Sequence, residues 1–377
     1  MTGVQTCALP ICQRGLGVDR CDGGERCLGC VGGLRPERRE RGDHHAVRAV
    51  VLVGGEGTRL RPLTLRTPKP LLPIANVAFL ERQLAWLAAA GVTEAVLSLG
   101  YLPDAFVEHF AGDRFGDVRL RYAVEDEPLG TAGAIRFAAD GIDERIVVCN
   151  GDVLTDLDLA SMLEFHEARG GEATIALTRV EDPSAFGVVP TREDGEVIAF
   201  VEKPPPGQAP TDWINAGTYI LEPSVLGRIP PRLNVSVERE TFPRMLEQPG
   251  RLYAMPSEGY WLDIGTPAKY AQAQRDVLLG CVGLPPAPGA EERAPGVWVQ
   301  PGARIADDAW LEAPSLIGAD AVVESGAQVV GSVVGSGAVV GAGASLRGAV
   351  VLGGASVGAG AEVTATVVDL DAELACG

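Results

Sequence analysis

From residue 49 onward, short apolar runs alternate with stretches whose apolar residues recur at helical spacing. Residues 49–53, AVVLV, read as a buried strand that runs into a glycine turn. Leu80, Leu84, Leu87 and Ala88 mark one face of a helix that Gly91 closes. Residues 95–99 form a second apolar strand, and Pro103 opens a helix carrying Phe106, Val107 and Phe110. Residues 146–149 are a third strand, ending in Asn150-Gly151-Asp152, with a helix from Asp158 to about Arg169 after it. Residues 173–179, 197–201 and 218–221 complete the strand pattern. This alternation predicts an α/β fold, a mostly parallel sheet covered on both faces, with ligands at the carboxyl ends of its strands.

The pattern changes after a stretch rich in Pro, Gly and Ala around 281–296, which reads as a linker. Beyond it Ile305, Leu311, Ile317, Val323 and Val329 stand six apart. After a slip of one residue the series continues through Val334, Val340, Leu346 and Leu352, then Val357 and Val363, with small residues between. Such hexapeptide repeats build a triangular parallel β-helix in which one aliphatic side chain per short side stacks into a continuous core. A Gly/Ala-rich tail without structure would not keep that spacing over so many side chains. The expected organisation is therefore a leader over 1–47, an α/β domain over 48–280, a linker over 281–296 and a β-helix over 297–370. Flat repeat faces and open β-helix ends predict a homo-oligomer.

The leader lacks apolar periodicity. It holds Cys7, Cys12, Cys21, Cys27 and Cys30, five of the eight cysteines. Cys27-Leu28-Gly29-Cys30 has zinc-ligand spacing, but no second such pair or spaced His pair follows it. The opening TGVQTCALPI resembles translated sequencing-adapter DNA, and its apolar run is too short for a signal peptide, so the leader reads as non-native sequence. Cys149, Cys281 and Cys376 are scattered, as expected of a reducing cytoplasm. No apolar run approaches the ~20 residues of a membrane span. A formal charge of −18 argues against nucleic acid as a partner. An acidic chain that handles anions must gather its few cations, or a metal ion, at one place. Lys69, Lys203 and Lys269 are its only lysines.

Two of those lysines fall in informative segments. The strand at 49–53 leads into Gly54, Gly55 and Gly57, then Thr58 and Arg59, with Lys69 ten residues on. Glycine backbone N–H groups can form a concave nest for phosphate, and Arg59 and Lys69 add full charge to it. A Walker loop is excluded because no Lys-Ser or Lys-Thr follows Gly57. A dinucleotide fingerprint is excluded because Leu60 stands where the third glycine belongs. The whole run, GGEGTRLRPLTLRTPKPLLP, resembles the signature of the sugar-1-phosphate nucleotidyltransferases.

Further segments match that family in order, as far as about residue 279. EPLGTAG (127–133) is similar to the loop that holds the nucleotide base, which implies Gly130 and Thr131 as contacts. NGD (150–152) and WLDIGTP (261–267) imply Asp152 and Asp263 as carboxylates for Mg²⁺, a cation satisfied by one or two carboxylates plus phosphate oxygens and water. FVEKP (200–204) implies Lys203 on the sugar phosphate and Glu202 on sugar hydroxyls, and NAG (215–217) adds Asn215, with Gly151 beside the sugar phosphate. The resemblance implies a Rossmann-like catalytic domain followed by a left-handed β-helix. It also implies Arg59, Lys69 and Lys203 as catalytic cations, and Gly54, Gly55, Gly57, Thr58, Arg59, Gly130 and Thr131 around the nucleotide. INAGTYIL and SVERETFP (236–243) most resemble bacterial mannose-1-phosphate guanylyltransferases, implying GTP and mannose 1-phosphate as substrates. Departures are small: Val53 stands where Ala is commoner, and Trp213 precedes the Ile-Asn-Ala-Gly run.

The implied nucleophile, a phosphate monoester with a second pKa near ~6, is already ionised at neutral pH, so no general base is required. Three rivals remain. One is a thymidylyl-, uridylyl- or adenylyltransferase acting on glucose 1-phosphate. A second has a β-helix that transfers acyl groups, but residues 297–377 contain no His or Lys and only Arg304 and Arg347 as cations. The third is a non-catalytic GDP-mannose-binding paralogue, which should have lost one of the charged residues present here.

Overall fold

The computed structural model describes residues 47–283, 286–370 and 373–375. The expected leader lies outside them except for Val47, which begins the first strand. The N-terminal sheet runs from Arg114–Phe115 through Val118–Val124, Val92–Leu99, Val47–Leu52 and Ile146–Asn150 to Trp213–Leu221. Val47–Leu52 is parallel to both neighbours, and Val118–Val124 is parallel to Val92–Leu99. Trp213–Leu221 is antiparallel to Ile146–Asn150, and it also pairs with Ala173–Arg179, which carries Leu252–Pro256 in parallel. The apolar pattern predicts a mostly parallel sheet; the central strands are parallel as expected, and antiparallel strands at both ends make the sheet mixed.

Burial explains the unbroken apolar run at residues 49–53. Ala49, Val51 and Val53 point into one core layer with Leu80, Leu84 and Leu87, while Val50 points into the other with Ile135 and Tyr219. A strand covered on both faces has no polar side. The helices Phe79–Ala89 and Leu159–Arg169 lie where expected, the second capped by Asp158, whose side chain accepts the Ser161 N–H. Three details differ. Val107 does not share the buried face of Pro103–Phe110: Phe106 is fully buried and Val107 is exposed. Residues 197–201 form no continuous strand. Val197 makes a single bridge to Thr191, Ile198 is exposed, and pairing resumes only at Val201–Glu202. The last strand is longer than 218–221, because it continues past a register shift between Asn215 and Tyr219. A bulge of this kind re-aims side chains, and here it holds the Asn-Ala-Gly segment.

The C-terminal strands form three parallel ladders. Ile317, Val334, Val351 and Val368 stack at one side, Val323, Val340 and Val357 at the second, Val329, Leu346 and Val363 at the third. The apolar steps are therefore six, six and five, and the slip recurs in each of these coils. For that reason Val351, not Leu352, fills the β-helix interior. Leu352 turns instead towards the α/β domain. At the short corner Ser332 N–H donates to Ser315 Oγ and Ala349 N–H to Ser332 Oγ, a buried polar ladder that the hydrophobic pattern does not show.

Among the described residues of 281–296, parts are ordered against their surroundings. Ala287 is buried, and Glu291–Ala294 pairs antiparallel with Val297–Val299. One apolar cluster joins the two halves of the protein. It contains Leu60, Leu72 and Phe79 from the glycine-loop region, Ile264, Tyr270 and Val277, and Leu316, Val333, Val350 and Val367 of the β-helix. Among the described residues no helix is long and apolar enough to cross a membrane.

Candidate active site

The parallel strands deliver their following loops to one edge of the sheet, and a cleft of about 630 Å³ opens there. Gly54, Gly55, Gly57, Thr58, Arg59 and Lys69 line it from the loop after the first strand. Gly130 and Thr131 line it from the start of the helix Gly130–Ala138, and Gly151 and Asp152 from the turn after Ile146–Asn150. Gly130 has φ 68, and a Cβ there would meet the Val235 carbonyl oxygen at 2.6 Å, so this position requires glycine. Gly151 is fixed by close approach: its Cβ would sit 2.3 Å from Val53 Cγ1, so the bulk at Val53 is accommodated by the missing side chain opposite.

A second cavity of about 200 Å³ adjoins the first. Asn150 and Asp152 line both. Glu202, Asn215, Asp263 and Phe186 line the smaller one. Asn215 is oriented at both ends of its amide, accepting the Gly217 N–H at 2.9 Å and donating to Tyr219 Oη at 2.7 Å. Lys203 lines neither cavity. Its side chain is 60 % exposed, with Nζ 3.9 Å from Glu202 Oε1, on a backbone of φ 50. A left-handed lysine is a strained residue, of the kind that clusters at functional sites.

The two aspartates are brought together by a short antiparallel ribbon. Val153–Thr155 pairs with Trp261–Asp263, and Ile264 N–H donates to the Asp152 carbonyl. Lys69 Nζ, 9 % exposed, donates to Asp152 Oδ2 at 2.8 Å. Asp263 has no such partner: its Oδ1 is buried without a hydrogen bond. Burial first, and the charge of Asp152 second, push the Asp263 carboxyl above the usual carboxylate range, while Lys69, Lys269 and Arg59 pull it back. Arg59 closes the arrangement, since a Cβ on Gly265 would lie 2.9 Å from its Nη2 and 3.1 Å from Asp263 Oδ2.

An unpartnered buried carboxylate oxygen beside a second carboxylate fits a divalent cation. Among the described residues no set of three or more His, Cys, Asp or Glu side chains converges as an all-protein metal cage. Mg²⁺ does not need one, because substrate phosphates and water complete its shell.

Two residues of the site escaped the sequence reading. Glu125 follows the strand Val118–Val124, accepts Ser98 Oγ–H and Leu129 N–H, and lines the larger cleft. The rule that ligands gather at strand carboxyl ends could have singled it out. Glu238 lines the smaller cavity and accepts the Thr131 hydroxyl at 2.8 Å, joining the loop beside one cavity to the wall of the other. Nothing in the spacing of residues 131 and 238 signals that contact.

Residues 48–279 match the family described as Nucleotidyl transferase. The chain belongs to that family. Residues 303–377 match the family described as GlmU-like, C-terminal hexapeptide. Among curated relatives of this nucleotidyl transferase, the mannose-1-phosphate guanylyltransferase of Mycobacterium tuberculosis is 40% identical over 291 residues, 77% of this chain and 80% of that protein. Mannose-1-phosphate guanylyltransferase 1 of Arabidopsis thaliana is 44% identical over 237 residues, and the alignment spans 61% of this chain and 64% of that relative. The crystal structure of HddC from Yersinia pseudotuberculosis complexed with GMP-PN superposes with a TM-score of 0.52 at 31% identity, covering 60% of this chain and 98% of HddC.

Proposed function

We propose that this nucleotidyl transferase makes GDP-mannose and pyrophosphate from GTP and mannose 1-phosphate in the cytoplasm. The observation that carries this reading is the pair of adjoining cavities that share Asn150 and Asp152, one under a glycine-rich cationic loop and one lined by Glu202 and Asn215. Two anionic substrates placed there meet at the shared wall. The names of the curated relatives and the guanine nucleotide analogue bound to HddC support guanine and mannose over the other bases and sugars.

In the reaction an oxygen of the sugar 1-phosphate forms a bond to the α-phosphorus of GTP. The bond from that phosphorus to the bridging oxygen breaks, and pyrophosphate departs with the electron pair. The chain's task is to hold two mutually repelling anions in line. Gly54, Gly55, Gly57 and Thr58 cradle the triphosphate, Arg59 and Lys69 offset its charge, and Gly130 and Thr131 seat the base. Gly151, Glu202, Lys203 and Asn215 hold the sugar phosphate. Asp152 and Asp263 would hold Mg²⁺, which supplies charge neutralisation at the phosphates when bound. The β-helix would carry subunit contacts of a homo-oligomer.

A panel of the common nucleoside triphosphates against mannose and glucose 1-phosphates, read by pyrophosphate release, tests the assignment. GTP with mannose 1-phosphate should give the highest kcat/KM. Preference for another pair would overturn the specificity, and no turnover with any pair would overturn the activity.

A further inference from the structure

Two of the chain's three lysines, Lys69 and Lys203, belong to motifs already placed in the site, and the third, Lys269, does not. It lies in the first turn of the helix Pro267–Leu278, whose N-cap Thr266 accepts the Lys269 N–H. A cation there opposes the helix dipole, which favours negative charge at an N-terminus. Among the described residues Lys269 forms no ion pair. Its ammonium rests instead over the Phe186 ring, 5.6 Å from the centroid. Phe186 packs edge-on against Trp261, and both line the smaller cavity beside Asp263. A half-buried ammonium held by an aromatic face, without a carboxylate, keeps its full charge available to an incoming anion.

We infer that Lys269 is a further substrate-binding cation, reaching past Phe186 to the phosphate of the sugar 1-phosphate. Phe186 links the two lysines, since its carbonyl accepts the Lys203 N–H and its ring lies under the Lys269 ammonium, so that the phosphomonoester meets two ammonium groups. The inference rests on the function proposed above and extends it to a residue outside the family motifs. Phe186 lines the sugar-side cavity and not the nucleotide cleft, which assigns Lys269 to the sugar phosphate and leaves the triphosphate to Arg59 and Lys69.

Lys269→Gln and Lys269→Arg, compared with the unaltered full chain, test this assignment. Steady-state kinetics would be run with each substrate varied, and calorimetric titration would follow mannose 1-phosphate alone. Losing one charged contact should raise the KM and Kd for mannose 1-phosphate by about tenfold in Lys269→Gln. The KM for GTP should stay within about twofold, and Lys269→Arg should recover most of the loss. An unchanged KM for mannose 1-phosphate in a folded Lys269→Gln protein would overturn the inference while leaving the activity standing. A rise confined to the GTP KM would overturn it equally. Absence of turnover in the unaltered chain would instead overturn the function on which it rests, and the binding titration separates the two cases.

Discussion

Replacing Asp152 and Asp263 by Asn should have the same effect on catalysis and different effects on stability. Each substitution keeps the shape and removes one charge from the wall shared by the two cavities or beside it. Turnover should then fall by roughly a hundredfold or more, the scale of losing one preorganised electrostatic contact. Stability separates the two residues because only Asp152 has a partner. Its carboxylate holds the buried Lys69 ammonium at 2.8 Å. A hydrogen bond to a charged group contributes about 1.5–3 kcal/mol and a neutral one about 0.5–1.5, so Asp152→Asn should cost about 1 kcal/mol. Because the Asp152 side chain is 42 % exposed, water screens the pair and keeps the loss near the lower end. Asp263 is the reverse case, a desolvated carboxylate repelled by its neighbour and with one oxygen unpartnered. Asp263→Asn should leave the metal-free protein as stable as before, or more stable by about 1 kcal/mol.

Thermal unfolding in EDTA, then with excess Mg²⁺, reads both halves of the argument. In a domain of this size about 1 kcal/mol moves Tm by roughly 2–4 °C, which calorimetry resolves. In EDTA, Asp152→Asn should melt lower than the unaltered protein and Asp263→Asn should not. Mg²⁺ should raise the Tm of the unaltered protein more than that of either variant, since a ligand stabilises only the fold that binds it. A strongly destabilised Asp263→Asn in EDTA would show that its carboxylate holds the fold together. Folded variants with near-normal pyrophosphate release would show that the metal lies elsewhere.

Gly265→Ala should push the Arg59 guanidinium off its seat, and because the clash is with the end of a flexible side chain, the fold should survive while kcat/KM falls about tenfold; an unchanged rate would free Arg59 of its assigned position. Glu172 is held down to about 2 by its hydrogen bond to Arg228 and then by that to Arg251, against the opposing effect of burial. Its folded pKa is depressed, so its contribution is present above about pH 4.5 and drains away as the pH falls towards 2. Glu172→Gln should therefore cost about 1 kcal/mol at pH 7 and much less near pH 2.5, measured as the difference between urea unfolding curves; a gap that does not narrow with acid would refute the ion-pair account. Removing residues after 285 should expose Tyr270, Val277 and Phe79 and cost both stability and activity; a truncated enzyme with unchanged Tm and turnover would show that the β-helix serves assembly alone.

The last of these departs from what the repeat pattern alone predicts. A hexapeptide series reads as a self-contained rod, because its spacing records only the side chains that point inward. Val333, Val350 and Leu352 stand next to the inward Val334 and Val351, and the series does not mark them as outward. In the structure these side chains form the outward face that covers Leu60, Leu72 and Ile264. The same blindness explains the other omissions. Glycine loops, strand-end acids and apolar alternation are local, and they located the sheet, the glycine-loop cleft and both aspartates beside it. Contacts across the chain left no spacing to read: Thr131 with Glu238, Asn76 Nδ2 donating to Gln300 Oε1 and to the Val334 carbonyl, and the Pro73 carbonyl accepting from both Tyr270 and Gln274. Those last contacts tie the segment just after Lys69 to the β-helix and to the helix that carries Lys269. Leu60 follows Arg59, and Ile264 follows Asp263, so the cluster that seats the β-helix also anchors the residues flanking two charged groups of the site. Support of this kind is what keeps a phosphate-transfer site within the sub-ångström tolerance that in-line attack demands. It follows that mutations in the β-helix face at Val333 or Leu352 should disturb kcat through positioning, without touching any residue that contacts substrate.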